Sequence, residues 1–359
     1  MSEKFFAFES DEVSIAFPLT GALGDAIIAK KILSAVLELS PNCLIDVFCL
    51  DESNKIFVRS FYSDIKNLNL ILPYDEHYKI VAQNYDLILN IAGTWAVFLN
   101  CNNPKKLQVI APALFQTVKK VGEYNKINVH GVGSSNVVSL RNFAMSRILN
   151  ENLYGILSCG GVLPIRDDKV KIPLAPKYKA EFERLNLGNY ITIYSDIERD
   201  IFPPKVKAWP IRKLVEYVAL VKKFLPQIEI VQCGGSWDAK VDNADRHFLG
   251  VDLELTKYIL ANSLLHVGCE GGLIHLATAL GTKCVVLFGF NSVNYFGYNR
   301  NINIVSKVCY PCANVWHNGM SRICIRGAKE PPCMLNITPQ TVCSVTCNYI
   351  SHLGLKNNS

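Results

Sequence analysis

Residues 264–289 carry the pattern that most limits what this chain can fold into. An apolar run over 264–267 has the length of a buried strand. Apolar residues then recur at helical spacing over 273–280, and Gly281 stands where a C-cap glycine is expected. Residues 284–288 form a second buried-strand run. The pattern predicts a strand, a glycine turn, a helix and a strand, which is one βαβ unit of a parallel sheet.

The turn of this unit can bind a phosphate group. Gly271 and Gly272 allow a ligand to approach the backbone closely, and the N–H groups of a first helical turn have no partner within the helix. Glu270, in the same turn, is a good acceptor for sugar hydroxyls. A ligand with both a diphosphate and a sugar would satisfy both the N–H groups and Glu270. The alternative is an ordinary βαβ turn with an exposed glutamate.

Length and composition bound the class of protein. With 359 residues the chain is long enough for two domains of ordinary size, and with 50% hydrophobic and 19% charged residues it is a folded globular protein. The net charge of +6 suits an anionic ligand. Because no Arg/Lys stripe with interleaved aromatic residues is present, nucleic acid is not an expected partner.

The N-terminus and the cysteines indicate a compartment. Residues 1–12 include acidic side chains and no long apolar run, which is not typical of a signal peptide. No run reaches the roughly 18 apolar residues that span a membrane. We therefore expect a cytoplasmic protein, in which the 13 cysteines are thiols or metal ligands and not a disulfide framework.

The N-terminal half opens with a βαβ pattern. A strand is predicted over 13–17, a helix over 26–39 and a strand over 45–50. Asp25 lies at the start of that helix, where its charge meets the positive end of the helix dipole. It either caps the helix or acts as a functional carboxylate at the edge of the sheet where open α/β folds place their sites.

Further α/β alternation follows this unit. Strands are predicted over 85–91 and 108–111. The glycines within 128–136 suggest a dinucleotide fingerprint, but the third glycine and a following acidic residue are missing, so a tight loop is the better interpretation.

A proline-spaced, charged segment over 164–176 predicts an interdomain linker. We therefore expect an N-terminal domain over 1–170 and a C-terminal domain over 177–359, the latter including a cysteine-rich segment over 309–333.

The C-terminal half repeats the α/β alternation. A strand over 190–194 leads into a polar loop that begins at Ser195, and a strand over 228–232 leads into Gly234 and Gly235. Between them, a helix is predicted to begin at about Pro210. Since these loops follow successive strands, one edge of the second sheet is expected to bind a ligand.

The chain resembles glycosyltransferase family 9, the heptosyltransferases of lipopolysaccharide assembly and their protein-modifying relatives. The resemblance is carried, in this order, by GALGD at 21–25, KAWP at 207–210, the Gly234–Gly235 turn, and GCEGGLIHLA at 268–277 followed by VVLFG at 285–289. It implies a GT-B fold, with two Rossmann-like domains facing across a cleft, the acceptor on the N-terminal domain and the donor on the C-terminal one.

The resemblance also implies roles for individual residues. Asp25 would be the general base for the acceptor hydroxyl, and Lys207 would pair with the donor diphosphate. Glu270 would hold the donor sugar, and Gly271 and Gly272 would present N–H groups to phosphate. His275 would lie nearby on the same helix, and no catalytic metal would be needed.

Two residues depart from the family pattern, which has Asp in place of Glu270 and Ser or Thr in place of Gly271. The expected activity is inverting transfer of a sugar from a nucleotide diphosphate donor, with ADP-heptose as first choice, to a protein or lipopolysaccharide-type hydroxyl. A sugar-nucleotide epimerase of the same fold and a non-catalytic scaffold are the alternatives. A homo-oligomer is compatible with all three.

Four cysteines follow the second sheet: Cys309, Cys312, Cys324 and Cys333. A Cys-x-x-Cys pair with two more cysteines close behind has the spacing of a four-thiolate metal site. Zinc and iron both fit by ligand type, and the iron finger of some protein-modifying heptosyltransferases favours iron. The metal would be structural, and free thiols or a disulfide are the alternatives. His317 is either a substitute ligand or a surface histidine.

The last helix carries another pair of thiols. Cys343 and Cys347 are spaced i, i+4 and are expected to be core thiols. Trp209 and the tyrosines over 295–298 are expected to pack in the core, with stacking on a base or sugar as the alternative.

Overall fold

A computed structural model of the chain describes residues 11–92, 95–130, 135–201, 203–309, 311–313 and 322–354. The chain divides into two compact units, residues 1–173 and residues 174–359. Each unit contains its own sheet, with the order β3-β2-β1-β4-β5 in the first and β11-β10-β9-β6-β7-β8 in the second.

The strands of the first unit are β1 (Val13–Leu19), β2 (Cys43–Cys49), β3 (Leu68–Pro73), β4 (Leu87–Ala92) and β5 (Ala96–Cys101). The first four are parallel, and β5 pairs with β4 in antiparallel orientation. Every residue of β1 is buried, as expected for a central strand covered on both faces. The order places a topological switch point between β1 and β4.

The helices of the first unit are α1 (Leu23–Leu39), α2 (Glu52–Phe61), α3 (Tyr78–Val81), α4 (Pro104–Ile110), α5 (Pro112–Asn125), α6 (Ser135–Leu149) and α7 (Leu153–Leu157). Short 3₁₀ and π turns occupy Ala82–Asn84 and Lys126–His130. Helix α1 is buried over most of its surface, including Lys30, whose Nζ donates to Asp64 Oδ1 at 2.5 Å and to the carbonyl of Phe61 at 2.6 Å.

The predicted strand over 108–111 is wrong, because these residues belong to the end of α4 and the step into α5. Asn103 caps α4 by accepting the N–H of Lys106 at 3.2 Å, and Pro104 occupies the first helical turn. This local start signal outweighs the short apolar run that follows it.

The strands of the second unit are β6 (Tyr190–Ile193), β7 (Glu229–Gly234), β8 (Arg246–Leu249), β9 (His266–Cys269), β10 (Cys284–Phe288) and β11 (Ile302–Val305). All described pairings are parallel. The chain enters at β6, runs outward to β8, and returns to the other side of β6 at β9. This is the doubly wound order, and its switch point lies between β6 and β9.

The helices of the second unit are α8 (Lys179–Arg184), α9 (Ile211–Phe224), α10 (Leu253–Ala261), α11 (Gly272–Ala279), α12 (Val293–Phe296), α13 (Pro332–Asn336) and α14 (Pro339–His352), preceded by a 3₁₀ turn at Pro176–Tyr178. The βαβ unit predicted for 264–289 is therefore confirmed as β9, α11 and β10. Gly281, just after α11, has a φ of +94°, which agrees with its predicted role at the helix end.

Within the described residues, no helix is long and apolar enough to cross a membrane.

Candidate functional site

The turn between β9 and α11 lies at the switch point of the second sheet. Gly271 is the N-cap of α11, with φ 165° and ψ −173°, so its backbone is extended and not strained. The carboxyl ends of parallel strands at a switch point form the crevice where open α/β sheets bind ligands. The amide groups of Gly272 and Leu273 lie in the first turn of α11, where a helix has no internal partner for them.

Lys207 reaches this turn from the loop between β6 and α9. Its Nζ donates to the carbonyl oxygen of Glu270 at 3.2 Å and lies 3.5 Å from Oδ2 of Asp196. A Cβ atom added to Gly271 would lie 3.3 Å from the same Nζ, a tight contact. The absence of a side chain at Gly271 therefore leaves room for the ammonium group, whereas the backbone angles would accept any residue.

Buried apolar residues on either side of Lys207 hold its loop in place. Val206 is 4% exposed and Trp209 is 3% exposed. The indole Nε1 of Trp209 donates to the carbonyl of Ile337 at 3.1 Å, which satisfies the polar edge of a ring otherwise packed in the core. The prediction that Trp209 packs in the core is confirmed.

Both oxygens of the buried Glu270 carboxylate have partners. Oε1 lies 3.3 Å from Nε2 of His275, and Oε2 accepts a hydrogen bond from the side-chain amide of Asn291. The other ring nitrogen of His275, Nδ1, lies 2.6 Å from the hydroxyl of Tyr298. Two side chains thus hold the carboxylate directly and Tyr298 holds His275 in turn, so Glu270 is not the exposed residue of an ordinary turn.

Charge pairing keeps both Lys207 and Glu270 ionised. Burial alone would lower the pKa of Lys207, but the carboxylates of Asp196 and Glu270 outweigh burial and raise that pKa above its usual value. Burial likewise opposes ionisation of Glu270, yet the hydrogen bond from His275 and the charge of Lys207 lower the pKa of Glu270. The site thus holds a cation and a carboxylate side by side at neutral pH.

Asp196, in the loop that follows β6, is the second carboxylate at this edge. It is 3% exposed and has a φ of +51°, a left-handed conformation that aspartate tolerates better than most residues. Its Oδ1 accepts hydrogen bonds from Tyr194 at 3.0 Å and from Lys205 at 3.2 Å. We define Asp196, Lys207, Glu270, Gly271 and His275 as the candidate site.

The loops after β6 and β7 are joined to each other. The hydroxyl of Ser195 donates to the carbonyl of Ala239 at 3.2 Å, and the N–H of Gly235 donates to Asp238 Oδ2 at 2.7 Å. A Cβ atom at Gly234 would lie 2.5 Å from the same Oδ2. These contacts account for Ser195 and both glycines as loop-packing residues at the ligand edge, and their predicted substrate contacts stay predictions.

Asp25 belongs to the first unit, in the first turn of α1 after the carboxyl end of β1. Its Oδ2 accepts the N–H of Ala22 at 2.8 Å, so the capping interpretation is confirmed. A Cβ atom at Gly21 would lie 2.3 Å from the Cβ of Asp25, which explains a glycine at that position. The role of Asp25 as a general base stays a prediction.

The four cysteines of the 309–333 segment lie near one another. Burial, together with the nearby thiols of Cys309, Cys312 and Cys324, raises the pKa of Cys333 to about 11. Cys312 and Cys324 line one small cavity with Cys333, about 10 Å³ in volume. Within the described residues, however, no group of three or more cysteine, histidine or acidic side chains is gathered tightly enough to hold a metal ion. His317 lies outside the described residues.

The structure therefore brings Lys207, Glu270, Gly271 and His275 together at one turn, and the substrate contacts that the resemblance implies for them stay predictions. Sequence reasoning missed Asp196, Asn291 and Tyr298 as members of the same network. Asn291 follows the glycine that closes β10, which is a local signal of the ligand edge. Tyr298 was expected to pack, and it does, but its hydrogen bond to His275 has no local signature.

Comparison with solved structures gives likenesses over nearly the whole chain. TibC, an iron-containing dodecameric glycosyltransferase from enterotoxigenic E. coli, is 16% identical with a TM-score of 0.62 over 96% of this chain and 77% of its own. A family 9 glycosyltransferase from Veillonella parvula is 13% identical with a TM-score of 0.57, over 96% and 99%. ADP-heptose lipopolysaccharide heptosyltransferase II of E. coli is 14% identical with a TM-score of 0.54, over 95% and 99%.

The chain has the GT-B fold of these glycosyltransferases. The predicted α/β class and the resemblance to family 9 are thereby confirmed at the level of the fold. No protein-family profile matches the chain, and no curated protein matches it in sequence.

Proposed function

We propose that this protein is an inverting glycosyltransferase that moves a sugar from a nucleoside diphosphate donor to a hydroxyl of a protein or lipopolysaccharide-type acceptor. The observation that carries the proposal is the position of Lys207 Nζ, 3.2 Å from the Glu270 carbonyl at the N-terminus of α11. A cation and a helix N-terminus at one point suit a diphosphate. Asp196 and Glu270 keep that cation charged.

The proposed chemistry needs stabilisation of the leaving group. The acceptor oxygen forms a bond to the anomeric carbon as the bond from that carbon to the diphosphate oxygen breaks, and negative charge grows on the diphosphate. Lys207 and the amide groups of Gly272 and Leu273 would stabilise this charge. No divalent metal ion needs to act at the reacting atoms in this scheme.

Glu270 is the proposed contact for the donor sugar. Its carboxylate is ionised and buried, with His275 on one oxygen and Asn291 on the other. A carboxylate oxygen has two acceptor positions, so each oxygen can still accept a sugar hydroxyl. Gly234, Gly235 and Ser195 would line the same edge of the sheet.

Asp25 is the proposed general base. It is half-buried in the first turn of α1, at the carboxyl edge of the first sheet, and its Oδ2 accepts the N–H of Ala22. As a carboxylate it would accept the proton that the acceptor hydroxyl loses.

ADP-heptose is the donor that we propose to test first. Two proteins of similar fold support this choice: heptosyltransferase II is described as an ADP-heptose enzyme, and TibC has been solved in complex with ADP-D-β-D-heptose. Since TibC is dodecameric, the oligomeric state of this chain should be measured together with its activity.

We further propose that Cys309, Cys312, Cys324 and Cys333 hold a structural iron or zinc ion. Four cysteines match the donor set of rubredoxin-type iron and structural zinc by residue type. The thiols are not gathered tightly enough to hold an ion in the arrangement described above, so a bound cation would draw them together and relieve their mutual electrostatic effect. With four cysteine ligands the metal would have no open position for a substrate, so it would stabilise the fold and take no part in transfer.

A donor screen tests the proposal. The purified protein is titrated with ADP-, UDP-, GDP- and dTDP-linked sugars, and Lys207→Ala is compared with Lys222→Ala, which removes a surface lysine paired with Asp245. We expect one nucleotide class to bind and Lys207→Ala to weaken it about 10- to 100-fold. Binding that survives Lys207→Ala unchanged would contradict the assigned site.

Product analysis then separates the alternatives. Nucleoside diphosphate released together with a glycosylated acceptor of inverted anomeric configuration supports the transferase. An isomerised sugar nucleotide without transfer indicates an epimerase. Binding without turnover on any protein or lipopolysaccharide-type acceptor indicates a scaffold.

A further inference from the structure

The cysteine segment, defined here as described residues 309, 311–313 and 322–333, contacts the loop that carries Lys207. Arg322 makes the polar part of this contact. Its guanidinium lies 2.5 Å from Glu198 Oε2 and donates to the carbonyl of Pro203 at 2.9 Å. Both partners belong to the segment between β6 and Lys207, so one side chain holds that segment at two points.

A series of alternating charges leads from Arg322 to the candidate site. Oε1 of Glu198 lies 3.0 Å from Nζ of Lys205, which lies 3.2 Å from Asp196 Oδ1, and Asp196 Oδ2 lies 3.5 Å from Nζ of Lys207. The five side chains are between 4% and 27% exposed, so solvent screens these pairs less than it screens surface pairs. Removing Arg322 leaves the partly buried Glu198 with one cation in place of two.

An apolar contact runs parallel to the charged one. Val206, the residue between Lys205 and Lys207, lines the small cavity formed with Cys312, Cys324 and Cys333. A change in how these cysteines pack would therefore reach Val206, the residue between the two lysines.

The cysteine segment also contacts the opposite side of the candidate site. Phe290 lines the same cavity, and its carbonyl accepts the N–H groups of Cys312 and Ala313, both at 3.1 Å. The next residue, Asn291, donates to Oε2 of Glu270. The cysteine segment thus supports both Lys207 and Glu270, although it is part of neither the loop after β6 nor the turn after β9.

We propose that the cysteine segment is a brace for the diphosphate site, and that Arg322 is a positioning residue for Lys207. A change in how the four cysteines pack then changes the affinity for the diphosphate, because Val206 and Arg322 pass it on to the loop that carries Lys207. The identity of the ligand rests on the proposed function; the brace itself does not.

Hydrogen exchange on the full-length protein without ligand tests the brace directly. In Arg322→Ala we expect backbone amides over 196–201 and 205–207 to exchange at least about 10-fold faster, because the segment loses both anchor points. Arg212→Ala is the matched control, since the exposed pair of Arg212 with Glu330 joins the same cysteine segment to α9. Unchanged exchange in Arg322→Ala, or equal acceleration in Arg212→Ala, overturns the proposal.

Affinity for ADP, measured by calorimetry, gives the functional result. We expect Arg322→Ala to weaken binding about 10-fold and Arg322→Lys to restore part of it, since lysine keeps one charged contact with Glu198. Cys324→Ser, with metal content measured separately, should weaken ADP binding in the same direction. Wild-type affinity in Arg322→Ala and Cys324→Ser would contradict the brace and leave the proposed function intact.

Failure of the proposed function gives a different pattern. If wild-type protein binds none of ADP, UDP and GDP, the assigned ligand is wrong. Faster exchange over 196–207 in Arg322→Ala would then still support the brace, and unchanged exchange would refute it.

Discussion

The imidazole Nε2 of His275 lies 3.3 Å from Oε1 of Glu270, and both side chains are buried. The resemblance to family 9 implies an aspartate at the position of Glu270. Here the longer side chain reaches His275 on the first turns of α11 and Asn291 after β10 at once. The longer carboxylate of Glu270 therefore has a defined set of partners.

This relationship predicts the effect of Glu270→Asp. The shorter side chain loses about one methylene of reach and cannot keep both partners, so we expect stability to fall by about 1–2 kcal/mol and donor affinity to fall with it. Urea unfolding and nucleotide-sugar titration measure the two effects. An unchanged or improved affinity would mean that the site works with the aspartate geometry and that the contacts with His275 and Asn291 are incidental.

A second prediction concerns the base. Asp25→Asn keeps an oxygen that can accept the N–H of Ala22, so α1 should remain capped and the melting temperature should change little. Donor binding should be unaffected, whereas turnover should fall by about 10²- to 10⁴-fold because asparagine cannot accept the proton. An Asp25→Asn enzyme with normal turnover would remove Asp25 as the base.

The fold was predictable from the sequence where a pattern and a local signal agreed. The βαβ unit over 264–289 has apolar runs of the right length, and Gly281 ends its helix at a positive φ. The strand predicted over 108–111 failed because four apolar or neutral residues fit a strand and a helix equally well. The decisive signal was upstream, at Asn103 and Pro104, where α4 begins.

The sequence predicted the residues of the candidate site that stand in motifs, but not the side-chain contacts that connect them. Lys207, Glu270 and His275 stand in motifs that sequence alone can identify. Arg322 enters only through contacts between residues far apart in the chain, such as its contact with Glu198 over 124 positions. Asp196 contacts Lys207 within one loop, where no motif marks it. A single sequence carries no signal for such a pair, because either residue alone is typical of an exposed loop.

A third prediction concerns the metal. We expect purified protein to contain about one iron or zinc ion per chain, measured by mass spectrometry of the metal, and Cys312→Ser to lose most of it. Cys343→Ser is the matched control, since Cys343 is also a buried thiol whose Sγ lies 3.7 Å from that of Cys347 on α14. Metal retained in Cys312→Ser, or lost equally in Cys343→Ser, would contradict the assignment to the 309–333 cysteines.

The last prediction is a pH dependence of stability that originates in His266. This residue of β9 is fully buried, Nδ1 lies 3.0 Å from the hydroxyl of Thr192, and Nε2 has no hydrogen-bond partner among the described residues. Burial lowers the pKa of His266 from 6.5 to about 3. The unfolded chain therefore binds a proton below pH 6.5 that the folded chain does not, so stability falls as the pH falls through this range.

Between pH 7 and pH 5 the loss from this one residue should be about 2 kcal/mol. Urea unfolding of the wild type and of His266→Leu at both pH values separates the contribution of His266 from that of other groups. The substitution removes the titrating group and keeps a side chain of similar size within a strand that is buried along its length. The variant should lose about 2 kcal/mol less than the wild type over this interval, and equal losses in the two proteins would show that His266 is protonated in the folded state.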